Sequence, residues 1–90
     1  MNTSRKESVI QISILDIQKR LLPRAYELRD RLQAGQAAES YDLEFLETLH
    51  KAIQNLHILS TDSPEHHLFI GNLVQLYSAL ISMALKNSED

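Results

Sequence analysis

The chain has 90 residues, 43% of them hydrophobic, no cysteine, and a formal net charge of −3. That length suits a single domain burying roughly 60–65% of its unfolded surface, and the missing cysteines exclude disulfides, thiolate metal sites and a cysteine nucleophile. Two glycines and two prolines are few for a sheet protein, whereas helix formers such as Leu, Ala, Glu, Gln, Lys and Arg abound.

The first helix is expected over about residues 5–34. Ser4-Arg5-Lys6-Glu7 fits a capping box, in which hydroxyl and carboxylate satisfy the free amides of the first turn. An apolar stripe follows at Ile10, Ile14, Ile17, Leu21, Ala25, Leu28 and Leu32, the spacing of one helical face. Gly35 supplies a stop. Pro23 interrupts the segment but the stripe keeps its phase, which predicts one long helix kinked near residues 19–23, or two helices split there. Asp16, Arg20, Arg24, Glu27 and Arg31 share another side, with Asp16–Arg20 and Glu27–Arg31 at the i,i+4 spacing of self-paired surface charges.

A second helix is expected over about 42–59, starting near Ser40 or Asp42, with Asp42, Glu44 and Glu47 complementing the positive end of the helix dipole. Its apolar arc is Phe45, Leu46, Leu49, Ala52, Ile53, Leu56 and Leu59, and the turn Ser60-Thr61-Asp62 ends it. The third helix, about 64–86, has a strong start in Ser63-Pro64-Glu65. From Leu68 to Leu85 it carries no charge. One stripe runs through Phe69, Leu73, Leu76, Leu80 and Met83. A second, beside it, runs through Ile70, Val74, Tyr77, Ile81 and Ala84. Together they cover roughly 200° of the helix, about twice the arc of a simple surface helix. A membrane span is a poorer reading of this segment, because Asn72, Gln75, Ser78 and Ser82 line one side and no basic cluster flanks it.

The fold expected from these elements is an all-α antiparallel three-helix bundle over residues 1–90, with a fourth helix if the first is split. A first helix of about 30 residues would be ~45 Å long against ~27 Å for the second, so its N-terminal part should overhang.

Motifs for chemistry are sparse. Glu47 and His50 form a Glu-x-x-His pair of the kind used in di-metal carboxylate bundles, but only a symmetric dimer could complete the ligand set. His50 and His57 share a face at the rim of the apolar arc. His66 and His67 are expected on the surface of the third helix's first turn, pointing about 100° apart and unable to chelate one ion together. His50 is followed directly by Lys51 and then Ala52, so the lysine is out of place and the glycine absent for a phosphotransfer site, and no Gly-rich loop precedes a helix. No cofactor, small-molecule substrate or enzymatic activity is expected.

The uncharged side of the third helix, with Gly71, Asn72, Gln75, Ser78, Ala79 and Ser82, is the most informative surface. Within it Gly71, Gln75, Ser78 and Ser82 are the candidate contacts for self-association or a partner. The leading expectation is a cytoplasmic, non-enzymatic interaction or regulatory protein that docks helix to helix as a homodimer or with another protein, away from any membrane. The alternatives are a metal-binding bundle assembled across a dimer through Glu47 and His50, and a nucleic-acid-associated regulator using the basic face of the first helix. The last has little support, since that face has no aromatic platform and no dense Lys/Arg run.

Overall fold

The structure, a computed structural model, describes residues 2–88 and the side chains of residues 5–88. It is an all-α three-helix bundle, 54 × 19 × 16 Å. The first rod is α1 (Asn2–Asp16), a π-helical turn (Ile17–Leu21) and α2 (Leu22–Gln33); α3 (Ser40–Leu59) runs back along it, and a 3₁₀ turn (Pro64–His66) leads into α4 (His67–Asn87). α3 packs on α1, and α4 lies against both α2 and α3.

The expected break at Pro23 takes a specific form. In a regular helix the proline ring would clash with the carbonyl one turn earlier and leave it without a donor. Here the turn before the proline is widened, with the Leu22 amide reaching back five residues to the Ile17 carbonyl. Pro23 then lies in the first turn of α2, where its missing N–H costs least. The rod stays helical throughout, and Ile10, Ile17, Leu21, Ala25, Leu28 and Leu32 of the predicted stripe are all buried. Gly35, at φ +92°, closes the rod. Its amide donates to the Leu32 carbonyl at 3.0 Å and the Gln36 amide donates to Arg31 at 3.1 Å, the paired bonds of a Schellman stop.

The predicted capping box at Ser4–Glu7 does not start the first helix, which is already helical from Asn2; the Ser4 side chain lies outside the described residues, and Glu7 has other partners. Ser63 likewise offers no side-chain cap; its carbonyl instead accepts the His66 amide at 3.1 Å in the 3₁₀ turn.

The core joins the rod stripe to Phe45, Leu46, Leu49, Ile53 and Leu56 of α3 and to Ile70, Leu73, Leu80 and Ala84 of α4. Each buried Leu, Ile or Phe among them contributes roughly 1.5–3 kcal/mol, and the two alanines less. Two polar ties hold the ends. At one, Asn87 donates to the Leu32 carbonyl at 2.9 Å and to the Gln36 carbonyl at 2.8 Å. At the other, Lys6 pairs with Asp62 at 3.5 Å and His66 meets Glu7 at 3.2 Å, so the turn after α3 is tied to the N-terminal part of the rod.

Candidate interaction surface

α4 packs against the rest of the bundle chiefly along two lines, one to α2 and one to α3. Ile70, Leu73, Leu80 and Ala84 are buried there, while Phe69, Leu76, Tyr77, Ile81 and Met83 are half-buried. Val74, predicted as part of the second apolar stripe, is 45% exposed. The wide apolar arc is therefore not enclosed by the chain's own helices: a third helix laid in the groove between two others keeps its outer side in solvent.

That outer side is the uncharged one. Gly71, Asn72, Gln75, Ser78, Ala79 and Ser82 are all exposed. Beyond its chain neighbours and its own helix backbone, no described heavy atom lies within 4 Å of where a Cβ on Gly71 would sit. Shallow grooves flank the ridge. The α3/α4 groove, about 600 Å³, is lined by Ile53, His57 and Ile58 from α3 and by Ile70, Val74 and Ser78 from α4. His50 stacks on Tyr77 at its edge, ring centroids 5.1 Å apart and planes 18° apart. The α2/α4 groove, about 530 Å³, is lined by Leu22, Tyr26, Phe69, Gln75, Leu76 and Ala79. Leu68, Ile58 and Leu85 add exposed apolar area at and beyond the ends.

The other candidate residues are arranged differently from the pattern their spacing suggested. Glu47 pairs with Lys51 at 3.1 Å, while His50 turns to Tyr77, so the two do not converge within the chain. The basic face of the rod is largely occupied. Arg20 holds Asp16 through two bonds of 2.9 Å, and lowers the Asp16 carboxyl below its ordinary range. The Arg24 guanidinium lies 4.5 Å over the Phe45 ring, and that of Arg29 lies 4.9 Å over Tyr26.

The expected i,i+4 pair of Arg31 and Glu27 is present at 3.8 Å, but it is the weaker of two pairings. The main partner of Arg31 is Asp42, with bonds of 3.0 and 2.6 Å. Asp42 is 3% exposed and also accepts the Glu39 amide at 2.9 Å. It is thus a buried cross-link between α2 and α3 as well as the predicted acidic residue in the first turn of α3. The Arg31 guanidinium holds the Asp42 carboxyl below the usual carboxylate range, against the opposing effect of burial, and the Glu39 amide adds to the lowering.

His66 is a correction. Expected on the surface, it is 8% exposed, with Nε2 at 3.2 Å from Glu7 Oε1. Gln11 donates to the same oxygen at 3.2 Å. Together the Gln11 and His66 contacts lower the Glu7 carboxyl from its ordinary value. Glu65 brings a second carboxylate, so that one candidate ligand atom from each of Glu7, Glu65 and His66 lies within 4.8 Å of the others. The contact spans 59 residues of sequence, and no spacing rule reaches that far. His67 remains exposed.

No protein-family model matches the chain, and no curated protein or solved structure is detectably similar to it.

Proposed function

We propose that the chain is a non-enzymatic helical interaction module that docks through the outer face of α4 onto a second copy of itself. The observation that carries this reading is the exposed, charge-free ridge of Gly71, Gln75, Ser78 and Ser82 between two apolar-lined grooves. A solvated helix face ordinarily carries Lys and Glu. Small neutral side chains let a second helix approach closely, and ridges of one copy can enter the grooves of the other. A two-fold arrangement would satisfy the same patch on both copies and close the assembly.

Helix Pro64–Asn87 is also apolar and long enough, by length and composition, to cross a membrane, with mean hydropathy 1.7 and 22% of that window buried. A protein partner is the better reading. The buried side of α4 is packed against α2 and α3, elements that carry Arg24, Arg31, Asp42 and Glu47, and insertion would strip α4 from that core. The absence of cysteine is compatible with a reducing cytoplasm, which we propose as the location.

Light scattering across a concentration series tests the reading. The parent chain should be dimeric. Ser78→Glu, which puts a charge on the ridge of both copies, should be monomeric with its helicity retained. Lys51→Glu, away from α4, should stay dimeric. A parent that remains monomeric at millimolar concentration would remove self-association, and co-sedimentation with anionic lipid vesicles would replace the protein partner with a membrane.

A further inference from the structure

We propose that Glu7, Glu65 and His66 form a structural site for a first-row divalent cation of the zinc type, tying the N-terminal part of α1 to the start of α4. The three side chains come from two separate elements, and their ligand atoms already gather within 4.8 Å. His66 is the anchor. Its side chain is 10% exposed and lies at the junction of the 3₁₀ turn and α4, so its direction is set by packing. Burial of an imidazole beside carboxylates is costly without a partner, and here Nε2 faces Glu7 Oε1 directly.

The spacing suits a shared ion. With bonds of about 2.0–2.2 Å, two ligands on one zinc-type cation stand about 2.9 Å apart at a right angle and about 3.4 Å apart at the tetrahedral angle. The observed Nε2–Oε1 separation is 3.2 Å. Placing a cation between them replaces the His66–Glu7 hydrogen bond by two metal bonds with little movement of either group. Glu65 is exposed and can swing inward to complete a set of one nitrogen and two carboxylate ligands, leaving the remaining position to water.

Electrostatics favour the same class of ion. Two carboxylates around a neutral imidazole offset a divalent charge, and they outweigh the partial positive charge at the start of α4. Lys6, the nearby competing cation on the rod, is drawn to Asp62 at 3.5 Å. Gln11, donating to Glu7, orients the carboxylate from the next turn of α1, as outer partners of metal ligands do. The mixed nitrogen and oxygen set suits zinc or cobalt better than calcium or magnesium, which take oxygen ligands.

The site lies within one chain and does not rest on the dimer reading. The test is titration of the metal-free full chain with Co²⁺, followed by its visible absorption, and with Zn²⁺, followed by calorimetry and thermal melting. We expect one ion per chain and, at about a hundredfold excess over the dissociation constant, a melting temperature raised by about 10–20 °C. Glu65→Gln, on an exposed side chain that should leave the fold intact, and His66→Gln should each weaken binding at least about tenfold. His50→Ala, His67→Ala and Ser78→Glu should bind as the parent does. Parent-like affinity in folded Glu65→Gln overturns the proposal, as does loss of binding in His50→Ala or His67→Ala, or the absence of binding by the parent.

Discussion

The buried pair of Arg31 and Asp42 shows how one residue can serve two structures at once. Asp42 accepts two bonds from Arg31 and one from the Glu39 amide, so it both ties α3 to α2 and satisfies an orphan donor at the start of α3. Asp42→Ala removes the cap and leaves a guanidinium partly buried without its partner. We expect a loss of about 2–4 kcal/mol in chemical denaturation, the range of a lost cap together with a broken, partly buried pair. The pH dependence has a definite sign. The folded-state carboxyl titrates below its unfolded value, so its contribution is present above the ordinary aspartate pKa of about 3.9 and is lost as pH falls through the lower folded value. Stability of the parent should therefore fall on acidification below about pH 4. The fall should be shallower in Asp42→Ala, a comparison that urea melts at pH 3, 4 and 6 would make.

At the scale of elements, the rod is the instructive case. Its stripe is continuous, its proline sits in mid-segment, and the widened turn at Ile17–Leu21 reconciles the two. Because Pro23 occupies the first turn of α2 and the widened turn relieves its ring, little of the ~3 kcal/mol interior penalty should remain. Pro23→Ala is accordingly expected to keep the helix and change stability by less than about 1 kcal/mol, within the propensity and entropy terms of such a swap. Circular dichroism and thermal melting check this. A fall in melting temperature of more than about 8 °C, beyond what 1 kcal/mol produces in a domain of this size, would mean that the ring itself enforces a bend the core requires.

For the whole molecule, the two ends of the bundle are held by different means. The end formed by the stop of α2 and the last turn of α4 relies on Asn87, whose amide donates to both the Leu32 and Gln36 carbonyls. Those carbonyls belong to the close of α2 and the connection to α3, so a side chain of α4 holds the loop in place. Asn87→Ala should cost about 1–2 kcal/mol for two hydrogen bonds. Hydrogen exchange should show the effect locally, with faster exchange at residues 34–36 and in the last turn of α4. Uniform loss of protection across the bundle would argue instead that the tie matters to global folding. The opposite end depends on Lys6, Glu7, Asp62 and His66, and would be the end strengthened by a bound cation.

The helices and their inward faces were legible because their determinants are local. A repeat of three and four residues specifies which side of a helix is apolar whatever it packs against. This is why the stripe from Ile10 to Leu32 and the arc from Phe45 to Leu56 reappear in the core, and why Gly35 ends α2 as read. The uncharged ridge of α4 was legible for the same reason, as a composition along one face. Its exposure was also expected, since two other helices cannot enclose so wide an arc, but which grooves flank it depends on where α2 and α3 lie around the helix. Charged and polar partners were harder still. Arg31 keeps its expected neighbour Glu27 at 3.8 Å, yet its shorter bonds go to Asp42, because packing α2 against α3 buries that carboxylate and makes an unpaired charge there far more costly than one in water. His66 likewise looked like a surface residue of a first helical turn until the bundle brought Glu7 to it from the far end of the chain. Periodicity was settled by the sequence alone; the choice among polar partners was made by the tertiary structure, because burial decides which charges must be paired.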